Sequence, residues 1–408
     1  RLNKEYMSFW DTEPAKPVFD FETQKRELIE NMDYLSQMSV EEQTLYKKWV
    51  ELQDPSMIRD KSQIAELYDT QWAPSDINNV EQTIKEIEAL EPYVEIIEDS
   101  KDSTKWTYLR RMIHTMGFTA NPGRNVKINV KDRVTGKLLG QISLASDVTS
   151  MKVRDDYIGW SKDDKFKKGK LNHTTIASTI VCTQPLGYNF LGGKLVAMMT
   201  TVPEVREFWK EKYGQTLIAV GTTSLYGIHS QYNGIPHFKT LGESAGKISI
   251  KPDDKYYEPW HQWLKENRSE WYTEAITNER IRNGKNMGVA SGPVSGIKQK
   301  ILGQIFKECG IKQSDYHHGF KRGVYLAMMY ENGPEFLRDE IGEDDLKMKQ
   351  KFEEGVDYIS KWWKKKAIKR YTKLHSEGRL KPEHLFYIDA IGMSWDEMKN
   401  KYLKEVGR

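Results

Sequence analysis

The chain has 408 residues, 38% of them hydrophobic, 30% charged and 11% aromatic, with a formal net charge of +3. That length suits two or three domains, and so small a net charge means that an anionic partner must be met by a local patch. Two cysteines, Cys182 and Cys309, exclude a disulfide framework and a cysteine-based zinc module. No stretch reaches membrane-spanning length and residues 1–21 lack an apolar signal core, so the expectation is a cytoplasmic protein with no membrane partner.

Residues 1–20 carry Pro14 and Pro17 and read as an extended arm. From Glu22 to Gln53 the apolar residues Leu28, Met32, Leu35 and Met38 recur at helical spacing until Asp54-Pro55 breaks the pattern. A further helical segment over residues 77–97 repeats Val80, Ile84, Ile87 and Leu90 before Pro92 interrupts it. Residues 103–116 predict another helix, carrying Arg110, Arg111 and His114. Residues 1–120 therefore read as a mainly helical region with solvated, charged outer faces and no visible chemistry.

The pattern changes at Asn121-Pro122-Gly123. Val126 to Val130 alternates, Asp132 to Gly136 is a turn, and Leu138 to Leu144 is a second strand, which together signal a hairpin. The basic run KDDKFKKGK over residues 162–170 then reads as a surface loop. Ile176 to Cys182 is a β-branched run stopped by Gln184-Pro185, and so a buried strand. A glycine-containing turn, a helix start across Phe190 to Met199 and a second apolar strand at Thr216 to Val220 complete a crossover. Such a unit sets a helix N-terminus at the carboxyl end of a strand, where an α/β protein usually holds its ligand.

Beyond Gly246 the chain offers a short strand, residues 247–250, and an aromatic helical stretch over residues 256–282. Its Trp260, Trp263, Leu264, Trp271 and Ile276 form an apolar stripe that reads as core. Residues 283–296 are rich in Gly and Ser and read as a mobile or substrate-contacting loop. An amphipathic helix (297–309) follows, then a strand, an Asn-Gly-Pro turn and a helix start over 320–338. The fold expected is α+β: a central mixed sheet with helices over 121–340, flanked by helical regions over 1–120 and 341–408.

The last region contains SKWWKKKAIKRYTKLH at 360–375. Trp362, Lys364, Lys365, Lys366, Lys369 and Arg370 there combine phosphate-binding cations with stacking platforms, the composition of a nucleic-acid surface. An amphipathic helix that buries its tryptophans and solvates its lysines has the same composition. Lys165, Lys167, Lys168 and Lys170 form a second basic candidate beside the crossover, and Trp160 could either stack on a base or pack inside.

Two resemblances rest on these segments. The order strand, strand, loop, strand, glycine turn, helix, strand resembles the acyl-CoA-binding heart of the GNAT acyltransferases, whose Gln/Arg-x-x-Gly-x-Gly/Ala loop cradles a pyrophosphate. Gln184 and Gly187 match it, Asn189 stands where the second small residue belongs, and Gly192 and Gly193 come a few residues later. The second covers roughly residues 124–250. LLGQISLASDV, RDDYIGWS at 154–161, Leu171-Asn172, SQYNGIP and LGESAGK look like the domain of the DruA protein in Druantia anti-phage systems. The core is also similar in layout to Mom-type phage enzymes, which modify adenine in DNA.

The resemblance implies an acyl-CoA-like donor held by Val181, Thr183, Gln184, Gly187, Asn189, Gly192 and Gly193. Tyr232 would be the acid for the leaving group, and Glu243 or His229 the base. No metal set is visible: His317-His318 has no carboxylate or histidine partners at ligand spacing. The leading expectation is a GNAT-like transferase acting on base amines in DNA, single- or double-stranded, flipping the base if it is paired. The alternatives are a non-catalytic DNA-binding or phage-defence protein with a degenerate core, and an ordinary amine or protein acyltransferase.

Overall fold

The computed structural model describes residues 18–278 and 296–406, apart from 122, 226, 228 and 229. Thus His229, and all but the last residue of the Gly/Ser-rich stretch 283–296, lie outside the described residues. The N-terminal part opens with α1 (Phe21–Ser36) and α2 (Val40–Leu52). Ser39 separates them and starts α2 with a reciprocal capping box to Glu42, satisfying two free backbone donors. Then come α3 (Val80–Ala89), strand β1 (Pro92–Ile97) and α4 (Ser100–Ile113). The expected helical segment 77–97 is therefore split: Pro92 ends the helix, and the alternating residues after it join the sheet.

The hairpin is β2 (Asn125–Asp132) and β3 (Leu138–Ser146), followed by α5 (Lys152–Ile158). The crossover is β4 (Thr174–Cys182), α6 (Leu186–Phe190), α7 (Gly192–Met199), α8 (Pro203–Tyr213) and β5 (Ala219–Thr223). Leu191, at φ 55°, breaks the expected helix between α6 and α7. The rest comprises β6 (Lys239–Ser249), α9 (Tyr257–Asn267), α10 (Ile297–Glu308), β7 (His317–Met328), α11 (Gly333–Leu337), α12 (Val356–Ser376) and α13 (Trp395–Tyr402).

The strands form one mixed sheet in the order β1-β2-β3-β4-β5-β7-β6, antiparallel throughout except for the β4–β5 pair. Period-two alternation gives the sheet two covered faces. Val126, Ile128 and Val130 of β2 face one core with Tyr325 and Ala327 of β7, under α3, α7, α8 and α12. On the opposite face α4 lies across β2, where Lys127 Nζ donates to Ser103 and Thr107 and the Trp106 indole donates to the Ile128 carbonyl. The same face carries α5, packed with Leu326 and Met328 of β7.

The larger core draws on all three expected regions: Ile87 and Leu90, then Ile142, Phe190 and Val220, then Trp363 and Tyr371. The sheet crosses the division expected near 120, and this core crosses those expected near both 120 and 340. Trp363 is fully buried and its indole donates to the Phe190 carbonyl at 3.0 Å, while Tyr371 stacks on Phe190 at 5.1 Å. Each aliphatic or phenylalanine side chain removed from water here contributes about 1.5–3 kcal/mol. Helix α12 thereby fixes α6 and α7, the two elements that follow β4.

Candidate functional site

The parallel pairing of β4 with β5 covers only Thr174, Ile176 and the residue between, opposite Ala219 to Gly221. After Ile176, β4 continues to Cys182 on its ladder with β3, and β5 continues to Thr223 on its ladder with β7. The two strands part, and a cleft of about 1610 Å³ opens between them. Ala177, Val181 and Cys182 line one wall, and Thr222, Thr223 and Ser224 the other. Two further walls come from Gly187, Tyr188, Leu191, Gly193 and Lys194 and from the segment after α12, residues 380–386.

Of the expected site residues, Val181, Gln184, Gly187, Gly193, Tyr232 and Arg370 meet in this cleft. Tyr232 is 7% exposed, against the Tyr325 ring at 5.2 Å. Burial raises its hydroxyl above the ordinary tyrosine value, outweighing the opposing hydrogen bonds with Gln231 and Thr222, so it is protonated at neutral pH. Cys182 also lines the cleft, but burial pushes its thiol up to about 12, which removes it as a nucleophile.

The other expected residues are placed elsewhere. Glu243 is exposed on β6, opposite Gly323, and does not line the cleft, which removes the expected carboxylate base from it. Thr183 is fully buried, with its N–H and hydroxyl both donating to the Leu139 carbonyl. Asn189 is likewise buried and bonds both ways to the backbone of Lys381. Gly192 lies beneath Leu186, where an added Cβ would stand 2.7 Å from its Cγ.

A pyrophosphate cradle needs backbone N–H groups that are free to face a ligand. In this loop Gly187 donates to the Thr183 carbonyl at 2.9 Å, Tyr188 to Gln184 Oε1 at 3.1 Å and Asn189 to the Pro185 carbonyl at 3.2 Å. The Lys194 N–H donates to the Leu191 carbonyl. The glycines make room for neighbouring side chains: a Cβ at Gly187 would overlap the Gln184 amide, and one at Gly193 would overlap Gln231 Oε1. The amides of Gly187, Tyr188 and Asn189 are therefore committed inside the protein and do not face a ligand as a pyrophosphate cradle requires.

Positive charge in the cleft comes from side chains. Tyr188, on α6, has the Arg370 guanidinium 5.0 Å and the Lys381 ammonium 4.4 Å from its ring centre, and all three line the cleft, where Lys381 also pairs with Glu405 at 3.0 Å. Lys194 Nζ, also in the cleft, donates to the backbone carbonyls of Gln231 and Asn233, with no carboxylate partner among the described residues. Two histidines that sequence reasoning left aside are also here, His114 after α4 and His384. Burial lowers both below the ordinary histidine value, and His114 Nδ1 accepts the Met116 N–H at 3.0 Å.

The basic loop is a structural network. Lys165 is buried, donating to Asp155 and to the Thr149 carbonyl, and Lys170 is buried against Asp339 and 3.7 Å from the Phe336 ring centre. Lys168 meets Asp164 at 3.0 Å, and Trp160 is buried with its indole donating to Asp155. Lys167 alone of these four lysines is largely exposed, at 84% of its side chain. On α12 the outcome is mixed. Trp362 packs against the core and Lys364 donates to the Glu88 carbonyl, while Lys365, Lys366 and Lys369 are exposed with no acidic partner among the described residues. No group of three His, Cys, Asp or Glu residues among the described ones is arranged to hold a metal, and no helix among them is long and apolar enough to cross a membrane.

The sequence profile of the Druantia protein DruA family matches residues 41–339, more than half of the chain. The chain belongs to that family. The Druantia protein DruA of Escherichia coli (strain UMEA 4076-1) is 26% identical over 246 residues, 55% of this chain and 55% of that protein. The chain thus spans about half the length of that curated relative. No solved structure matches it.

Proposed function

We propose that the chain is a DNA nucleobase-modifying transferase of phage conflict, with a GNAT-like core related to Mom-type proteins. It would transfer a group from a phosphate-bearing small donor, acyl-CoA-like or another, to a base amine. The observation that carries this reading is the cleft at the parting of β4 and β5, with Tyr232 protonated inside it. The strand order and the short parallel pair support the GNAT-like layout. The family membership supports an association with anti-phage defence.

Because the amides of Gly187, Tyr188 and Asn189 are committed internally, the donor's phosphates would be met by Arg370 and Lys194, with Lys381 shared between them and Glu405. Tyr232 would supply the proton taken up by the leaving group. The acceptor amine must lose a proton to a neutral base. His384 suits this better than His114, whose Nδ1 is already an acceptor for Met116. Exposed Lys365, Lys366 and Lys369 would hold the DNA by its phosphates while the target base enters the cleft.

The second reading is a non-catalytic DNA-binding or phage-defence protein, and the committed amides of Gly187, Tyr188 and Asn189 favour it. Mass spectrometry of nucleosides from DNA made with the wild-type chain and with Tyr232→Phe separates the two. A new nucleoside that is lost or reduced at least about tenfold in Tyr232→Phe supports the transferase. An unchanged nucleoside profile from folded, DNA-binding protein sinks it in favour of the second reading.

A further inference from the structure

Arg322 lies midway along β7, just ahead of the apolar run Val324 to Met329. By strand alternation it shares a face with Leu326 and Met328, the face covered by α5, and it lines the cleft. The Arg322 N–H donates to Ser244 Oγ at 3.1 Å, and the next N–H, of Gly323, donates to Ser224 Oγ. Its guanidinium has no carboxylate partner among the described residues, although it is half-buried.

The surroundings add positive charge. Lys251, just beyond β6, is lowered from the ordinary lysine value by partial desolvation and next by repulsion from Arg322. The acids that follow Lys251 are taken, Asp253 by Lys47 at 3.0 Å and Asp254 by Lys298 at 2.9 Å. A guanidinium drawn out of water with a like charge beside it is costly unless an anion completes the site. A phosphate oxygen pair matches its planar donor fork.

We propose that Arg322 anchors a phosphate subsite inside the cleft, taking the phosphate that flanks the nucleobase admitted there. This rests on the DNA reading above and assigns the acceptor side of the cleft to a nucleotide. The Tyr188 cluster on α6 then serves a different ligand group, since α6 lies on the opposite face of the sheet, packed with α12.

The test uses a nucleoside 5′-monophosphate by calorimetry and a ten-nucleotide single strand by fluorescence anisotropy, on wild type, Arg322→Gln and Arg322→Lys. Arg322→Gln is expected to weaken monophosphate binding at least about tenfold, with partial recovery in Arg322→Lys, which keeps the charge but loses the fork. Equal monophosphate affinity in wild type and Arg322→Gln, or no binding to either, overturns the subsite. If the single strand does not bind at all while monophosphate binding depends on Arg322, the DNA reading falls and the subsite stands. If the strand binds and Arg322 affects neither ligand, the subsite falls alone. Should Arg322→Gln fail to fold, phenylglyoxal labelling of wild type decides: saturating monophosphate is expected to protect Arg322, and an unprotected Arg322 overturns the proposal.

Discussion

Asn189 and Lys381 lie 192 residues apart and exchange two hydrogen bonds: Asn189 Nδ2 donates to the Lys381 carbonyl at 2.6 Å, and the Lys381 N–H donates to Asn189 Oδ1 at 2.9 Å. A side-chain amide thus stands in for a strand neighbour and ties the segment after α12 to α6. That tie holds the Lys381 ammonium on the Tyr188 ring and builds one wall of the cleft.

Asn189→Ala leaves both backbone groups of Lys381 without their partner. The expected cost is about 1–3 kcal/mol in urea unfolding, with weakened binding of any ligand that uses Lys381. Asn189→Ala matching wild type in both midpoint and ligand affinity would show that the amide does not hold this wall.

The two basic stretches, alike in composition, should respond differently to neutralisation. Changing Lys365, Lys366 and Lys369 together to Gln is expected to leave the melting temperature within about a degree, since exposed charges contribute little to stability. It should also reduce the slope of log affinity against log salt for DNA by about one for each phosphate that is no longer neutralised. Lys165→Gln does the reverse: it removes a buried cation from Asp155 and the Thr149 carbonyl and should destabilise the fold by about 3 kcal/mol or more. An α12 triple variant with unchanged salt slope would remove that helix from the DNA interface.

That contrast shows where sequence pattern stops being informative. The hairpin at Val126 to Leu144 and the crossover were legible because β-branched runs and Gly or Pro breaks are local signals. The ion pairs of Lys165 and Lys170 were not, because Asp155 and Asp339 become neighbours only once α5 and the turn after α11 pack together. β1 was hidden because YVEII follows directly on a helical repeat. The start of β6, KTLGESAG, has few strand-favouring residues and is held by its ladder with β7. In the site, Tyr232 and Gly187 were found by order along the chain, whereas His114 was set aside as part of a solvated helix. Arg322 did leave a signal, a charge just ahead of an apolar run within β7.

Stability should fall on mild acidification. His237 is buried, with no hydrogen-bond partner to either ring nitrogen among the described residues and its ring 4.8 Å from that of Phe352. Burial, and next the charge of Lys351, lower it to about 3 from an ordinary 6.5. Between those values the unfolded chain takes up a proton and the folded chain does not, so folding is favoured above pH 6.5 and weakens as pH falls toward 3. His114, His173 and His384 are lowered for the same first reason, burial, and act in the same direction. Each such group contributes up to about 1.4 kcal/mol per pH unit within its window. The urea midpoint should therefore drop between pH 7 and pH 5, less steeply in His237→Phe. A midpoint flat over that range would contradict the burial of these rings.

Gly193 and Gln231 allow a test of why the crossover helix begins with two glycines. A Cβ on Gly193 would overlap Gln231 Oε1, whose side chain reaches toward the carbonyl of Ile180 at the edge of β4. Gly193→Ala alone must push that amide aside, and a cost of about 1–3 kcal/mol is expected. If the glycine exists only to admit Gln231, adding Gln231→Ala removes the clash. The double-mutant cycle should then return a coupling of about 1 kcal/mol or more in favour of the pair. If instead Gly193 serves to bring a ligand against the helix start, the double variant recovers stability but not ligand binding. Additive stability costs would exclude the packing explanation and restore the glycine to the ligand.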